Sequence, residues 1–128
     1  MQKKTILVVD DSILVRFVVI DELKKLGYES ISANTGEKAI KLSKSKKPGL
    51  ILLDVMLPDI NGFEVCKRLK EDPDTRYIPV IFMTAKDKPQ DIDAGKQAGG
   101  NGYLVKPFES EELSRVLTKY LGRGNLWS

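Results

Sequence analysis

Five short apolar runs, Ile6 to Val9, Ser30 to Ala33, Leu50 to Leu53, Val80 to Met83 and Tyr103 to Val105, recur along the chain, each followed by a stretch that suits a helix. Runs this short and this apolar suit strands covered on both faces, and such strands pair in parallel with helices as their connections. Right-handed crossovers then place helices on both sides of one sheet. The pattern predicts a single doubly wound α/β domain of five parallel strands and five helices, and 128 residues suffice for one core.

The helical stretches carry their own punctuation. Ile13, Phe17, Ile20 and Leu23 step by three or four, which predicts one inward stripe for the first helix, closed at Leu26-Gly27 with Gly27 as C-terminal cap. Gly36 to Ser45 reads as the second helix. Asn61-Gly62 opens the third, with Phe63, Val65, Cys66 and Leu69 inward, and Asp72-Pro73-Asp74 stops it. Gln90 to Ala98 has the thinnest apolar face, Ile92, Ala94 and Ala98. Ser110 is the expected N-cap of the last helix, with Glu111 and Glu112 in its first turn and Leu113, Val116, Leu117, Tyr120 and Leu121 along its inner side. The expected division is a domain over residues 1–122 and a tail or linker stub over 123–128.

Asp10 and Asp11 follow the first apolar run and Asp54 follows the third. A strand terminus emerges at the rim of the sheet, and doubly wound sheets bind ligands outside the carboxyl ends of their strands. Two such runs side by side would gather the three acids into one anionic pocket. Carboxylates that close raise one another's pKa, and a hard divalent cation relieves the repulsion. There is no histidine and Cys66 is the only cysteine, so any metal here is held by oxygen. Mg²⁺ suits the site better than Ca²⁺ because it needs few protein ligands. Taken singly, Asp10-Asp11 could merely cap a helix and Asp54 begin a turn.

Thr84 and Lys106 stand at the ends of the fourth and fifth runs and bring a hydroxyl and an ammonium to the same rim. A carboxylate nucleophile, a metal, a fixed cation and a hydroxyl donor are the parts that a phosphoryl group needs. An ionised aspartate requires no general base. Lys106 precedes Pro107, which favours an extended conformation and makes that bond a cis candidate.

These residues, Val9-Asp10-Asp11-Ser12, Leu53-Asp54-Val55-Met56-Leu57-Pro58 with Gly62 following, Thr84-Ala85, and Tyr103-Leu104-Val105-Lys106-Pro107-Phe108, resemble the receiver domain of bacterial two-component response regulators, from Lys4 to about Gly122. The resemblance implies a flavodoxin-like sheet of strand order 2-1-3-4-5. It implies Asp54 as phospho-acceptor, supplied by a histidine kinase or histidine phosphotransfer protein. Asp11, Asp54 and the Met56 backbone carbonyl would bind Mg²⁺ directly, with Asp10 acting through water. Lys106 would pair with Asp54 before transfer and with phosphate after it. Thr84 and Tyr103 would be the switch pair, reshaping the surface of the fourth helix, fifth strand and fifth helix for a downstream protein. Met56 and Lys86 border the route of attacking water in this family, so slow self-dephosphorylation is expected. Asn61 and Gly99-Gly100-Asn101-Gly102 depart from the family's common wording, and three glycines in four residues lower the order expected before the fifth strand.

The resemblance also implies a switch that catalyses only its own phosphorylation and dephosphorylation, as a monomer or a phosphorylation-dependent dimer. Twenty-one basic against eighteen acidic residues, spread along the chain, point to no nucleic acid partner. No apolar run approaches the roughly 20 residues of a bilayer span, and a cytoplasmic location is the simplest expectation. An aspartate-nucleophile phosphatase wants Asp-x-Asp and a mobile cap, where this chain has adjacent acids. A flavin carrier is disfavoured because Asp10-Asp11-Ser12-Ile13 would repel the flavin phosphate. With the fifth helix expected so near residue 128, action by protein contact without an output domain is the first expectation. Two further alternatives are a receiver cut from a longer regulator and a receiver fold kept as a non-phosphorylated docking module.

Overall fold

The computed structural model describes residues 5–121, so the tail expected over 123–128 lies outside the described residues. Strands β1 (Thr5–Val9), β2 (Glu29–Ala33), β3 (Leu50–Leu53), β4 (Val80–Thr84) and β5 (Gly102–Val105) alternate with helices α1 (Ile13–Lys25), α2 (Gly36–Lys46), α3 (Gly62–Glu71), α4 (Pro89–Gln97) and α5 (Ser110–Leu121). All strand pairs are parallel and the order is β2-β1-β3-β4-β5. The expected fold class is therefore the one observed.

Because side chains alternate along a strand, each strand feeds two cores. Leu7, Val9, Ile51, Leu53, Val80 and Phe82 pack against Ala39 of α2 and Val65, Cys66 and Leu69 of α3. Ile6, Val8, Leu50, Leu52, Ile81 and Met83 pack on the other side against Val19 and Leu23 of α1 and Leu113 and Leu117 of α5. Sandwiching between helix layers explains why β1, β3 and β4 read as unbroken apolar runs rather than alternating ones.

Two local expectations need correction. In α1 the buried residues are Val19 and Leu23, while Ile13 and Phe17 are 75% and 69% exposed, next to exposed Leu14 and Val18. The first two turns of the helix are almost wholly apolar, so periodicity admits more than one inward stripe, and packing on α5 selected the Val19 and Leu23 face. Ser110 is not the cap of α5. The Glu109 carbonyl accepts from Glu112 N and Leu113 N, the Glu112 side chain accepts from Glu109 N, and the Ser110 hydroxyl donates to Glu22 on α1 at 2.5 Å. The thin apolar face expected of α4 is the one observed: Ile92, Ala94 and Ala98 are half-buried and only Gly95 is buried.

The glycine-rich turn before β5 is well fastened, against the expectation of low order. Asn101 N donates to the Val80 carbonyl, the Asn101 side chain accepts from Val80 N at 2.9 Å, and the Tyr120 hydroxyl donates to the Asn101 carbonyl. Its glycine at 100 has a steric reason, since a Cβ there would lie 2.5 Å from the Phe82 ring.

Candidate functional site

The β1 and β3 registers align Val9 with Leu53, so the residues that follow, Asp10 and Asp54, leave the sheet side by side. Asp10, Asp11 and Asp54 each offer a carboxylate oxygen, and these oxygens lie within 4.8 Å of one another. Asp10 and Asp54 are buried and Asp11 is exposed, so the cluster opens to solvent on the Asp11 side. Lys106, after β5, reaches the same place: its ammonium is 2.6 Å from Asp10 Oδ2 and 3.5 Å from Asp54 Oδ2. The lysine thus pairs with Asp54, as expected, and more closely with Asp10. The Lys106–Pro107 bond is cis.

Local bonding fixes these groups. Asp10 N donates to the Ala33 carbonyl, Asp10 Oδ1 accepts from Ser12 N at 3.0 Å, and Ser12 caps α1 by accepting from Val15 N. Asp54 N donates to the Val9 carbonyl at 2.9 Å, and Asp54 Oδ1 accepts from Met56 N at 3.3 Å. Gly62 returns the loop against this strand end, its N–H donating to the Val55 carbonyl at 2.8 Å. A Cβ on Gly62 would sit 2.2 Å from the Asp54 carbonyl oxygen, so only glycine permits this approach.

Electrostatically the site is short of positive charge. Burial raises the Asp54 carboxyl above its ordinary range; Lys106 and the Met56 N–H oppose the shift and Asp10 adds to it. A pocket that penalises its own ionised acid favours a bound cation. The donors are hard carboxylate oxygens, without imidazole or thiolate, which fits Mg²⁺ chemistry.

Thr84 and Tyr103 lie on the neighbouring strands. Thr84 is buried at the end of β4, its hydroxyl accepting from Lys86 N at 3.3 Å, and its carbonyl accepting from Lys106 N at 2.8 Å. Tyr103 pairs with Phe82 across β4 and β5, with ring centroids 5.9 Å apart. Its hydroxyl is buried without a hydrogen-bond partner among the described residues, and desolvation, with Asp91, Asp87 and Asp54 adding, raises its pKa. With Ile92, Gly95 and Lys96 it lines a cavity of about 130 Å³. Met56 stands exposed after Asp54.

Sequence reasoning missed two residues. Arg16 on α1 donates to the Asp10 carbonyl at 2.7 Å, bringing a second cation to the strand end. Asp59 accepts from Gly36 N at 2.8 Å and Glu37 N at 2.9 Å, tying the β3–α3 loop to α2. The spacing of Arg16 from Asp10, one turn into the first helix, was a usable signal; Asp59 and Gly36 are 23 residues apart and offered none.

A family model described as the response regulator receiver domain matches residues 6–118. The alkaline phosphatase synthesis transcriptional regulatory protein PhoP of Bacillus subtilis is 38% identical over 96% of this chain and 50% of its own length. Protein PilH of Pseudomonas aeruginosa is 35% identical over 91% of this chain and 96% of its own. Among solved structures, the receiver domain of a sensor histidine kinase from Pseudomonas aeruginosa, with a magnesium ion coordinated in its active site cleft, superposes with a TM-score of 0.88 at 30% identity, covering 94% of this chain and 99% of that one. The chain spans about half the length of the first curated relatives it matches, 50% and 49%.

Proposed function

Since the chain belongs to the response regulator receiver domain family and is a phospho-accepting signalling switch of a two-component system, we propose that Asp54 is its phospho-acceptor and that a histidine kinase or histidine phosphotransfer protein is its donor. The observation that carries this reading is the meeting of three carboxylates and one ammonium at the carboxyl ends of β1, β3 and β5. A carboxylate oxygen of Asp54 attacks phosphorus; the P–N bond to the donor imidazole breaks as the P–O bond forms, and the imidazole leaves with the electron pair. Lys106 neutralises charge on the transferred oxygens, and the Thr84 hydroxyl donates to one of them. Asp10, Asp11, Asp54 and the Met56 carbonyl would hold Mg²⁺, which supplies charge neutralisation when bound.

Readout runs through the second half of the rim. When Thr84 turns toward phosphate, Tyr103 moves into the space it leaves and the α4, β5 and α5 surface changes for a downstream protein. A complete shift from about 1:99 to 99:1 needs roughly 5.5 kcal/mol of differential interaction, within reach of a few charge-assisted hydrogen bonds. Exposed Ile13, Leu14 and Phe17 on α1, close to the acids, support this face as the seat of the donor. Hydrogen-exchange protection of α1 by a histidine phosphotransfer domain would agree; protection confined to α4 and α5 would move the seat.

In this reading the protein catalyses only its own phosphorylation and dephosphorylation, works in the cytoplasm as a monomer or phosphorylation-dependent dimer, and makes no direct nucleic acid contact. No described helix is long and apolar enough to cross a membrane. Residues 1–122 form the receiver and 123–128 a tail or linker stub, and the half-length match to relatives favours a receiver from a longer regulator as the alternative to a stand-alone one. Met56 and Lys86 screen the phosphate from water; a lifetime of seconds that Met56→Ala leaves unchanged would remove that point.

Acetyl phosphate treatment with and without Mg²⁺, read by intact mass, tests the chemistry. We expect one added phosphoryl group that needs both Mg²⁺ and Asp54 and is absent from Asp54→Asn. No adduct in protein that binds Mg²⁺ would leave a docking module.

A further inference from the structure

We propose that Asp59 is a positioning residue for the cation site, clamping the β3–α3 loop to α2 so that the loop backbone following Asp54 meets a divalent ion in one fixed arrangement; this rests on the cation reading of Asp10, Asp11 and Asp54 given above.

The loop from Asp54 to Asn61 contains no regular element, yet it carries Met56, whose N–H already holds Asp54 Oδ1. Its two ends are fixed by Asp54 N on the Val9 carbonyl and by Gly62 N on the Val55 carbonyl. Between those ends the hydrogen-bonded tie to another element is Asp59, whose two oxygens accept separately from Gly36 N and Glu37 N. Using both oxygens fixes the direction of the carboxylate as well as its distance.

The clamp is not needed to start α2. Thr35 already caps that helix, its hydroxyl accepting from Lys38 N at 3.1 Å. Asp59 instead takes the two N–H groups that a local cap leaves over, and their partial positive charge favours an anion. Desolvation opposes ionisation, but hydrogen bonds from Glu37 N and Gly36 N outweigh it and hold the Asp59 carboxyl below its usual range. Contact is close as well: a Cβ on Gly36 would lie 2.8 Å from Val65 Cγ2 and 3.1 Å from Ile60 Cγ1, so α2 presses directly on the loop and the start of α3. Releasing Asp59 frees the middle of the loop while leaving every carboxylate of the cluster in place.

Mn²⁺ serves as the probe, with free ion counted by electron paramagnetic resonance. Removing a residue that orients a metal ligand typically weakens affinity by about tenfold or more. Asp59→Ala is expected to weaken Mn²⁺ binding by about tenfold, and Asp59→Asn, which keeps the shape but only one acceptor oxygen, by less. Thr35→Ala weakens the same helix end through its own cap without touching the loop, and should hold Mn²⁺ within about twofold of the parent. Asp59→Asn carries the test if the alanine variant does not fold. Binding by the Asp59 variants within about twofold of the parent, or an equal loss in Thr35→Ala, overturns the proposal, because the residue would then act on stability alone. A parent chain that takes up no Mn²⁺ overturns the cation reading itself, and the proposal with it.

Discussion

At the β1 and β3 half of the rim, Asp10 is held by Ser12 N and Lys106, and Asp54 by Met56 N, with backbone bonds to β2 and β1 beneath them. At the β4 and β5 half, the Thr84 hydroxyl accepts a single hydrogen bond, as long as the one from Met56 N to Asp54, and the Tyr103 hydroxyl makes none among the described residues. Shape holds that second half: Phe82 meets Tyr103 and Phe63, and glycines 95 and 100 leave room for its ring. Directional bonds fix the groups proposed to do the chemistry, whereas the groups proposed to report it are held by contacts with little angular preference. A conformational change costs less where few hydrogen bonds must break.

Substitutions at the two glycine contacts probe this contrast most strongly. Gly62→Ala forces a methyl group onto the Asp54 carbonyl, backbone against backbone, and should destabilise by about 3 kcal/mol or more in urea melts. Gly100→Ala meets the Phe82 ring at 2.5 Å and the Gly95 carbonyl oxygen at 2.9 Å, so its closest clash is with a side chain rather than with backbone, and it should lose about 2 kcal/mol. If the second loss equals or exceeds the first, the aromatic half is the stiffer one and the contrast is reversed.

Tyr103→Phe removes a buried hydroxyl that has no partner, so it should stabilise the unphosphorylated chain by about 1 kcal/mol. A loss of stability would mean that the hydroxyl has a partner such as ordered water, and that this half is polar after all.

The smallest effect is a pH dependence in metal-free protein. Asp54 has a raised pKa in the fold, so between that value and the ordinary 3.8 the folded state binds more protons than the unfolded chain. Stability should therefore rise as pH falls through the folded pKa of Asp54, and Asp54→Asn should flatten the rise in Tm. Asp59 and Asp72 are shifted down, so the stability they contribute is present above 3.8 and is lost only at lower pH. A Tm that falls steadily from neutral pH toward 4 in the parent would contradict a strained acid cluster.

Strand identity was readable because buried parallel strands leave unbroken apolar runs whose ends carry the candidate site residues, whereas strand order followed only from the family resemblance. Asp10, Asp11, Asp54, Thr84 and Lys106 were legible for the same reason: each directly follows or closes such a run. The face of α1 was not, since Leu14, Val15, Val18 and Val19 let several stripes compete and only packing chooses. Nor was the Ser110 bond to Glu22, which spans 88 residues and draws the hydroxyl away from the cap. Propensity rules describe neighbours in sequence, and Asp59, Lys106 and Ser110 are all settled by partners far along the chain.

Cys66 sits in the α3 layer with its thiol fully covered and, through burial, pushed up to about 11. At neutral pH such a thiol is almost wholly protonated and inert, so a thiol reagent reaches it only when α3 parts from the sheet. The chain thus contains its own clock for local opening, requiring no label and no substitution. Timed before and after phosphorylation, that clock reports whether the event at the rim stays local or loosens the layer that supports it.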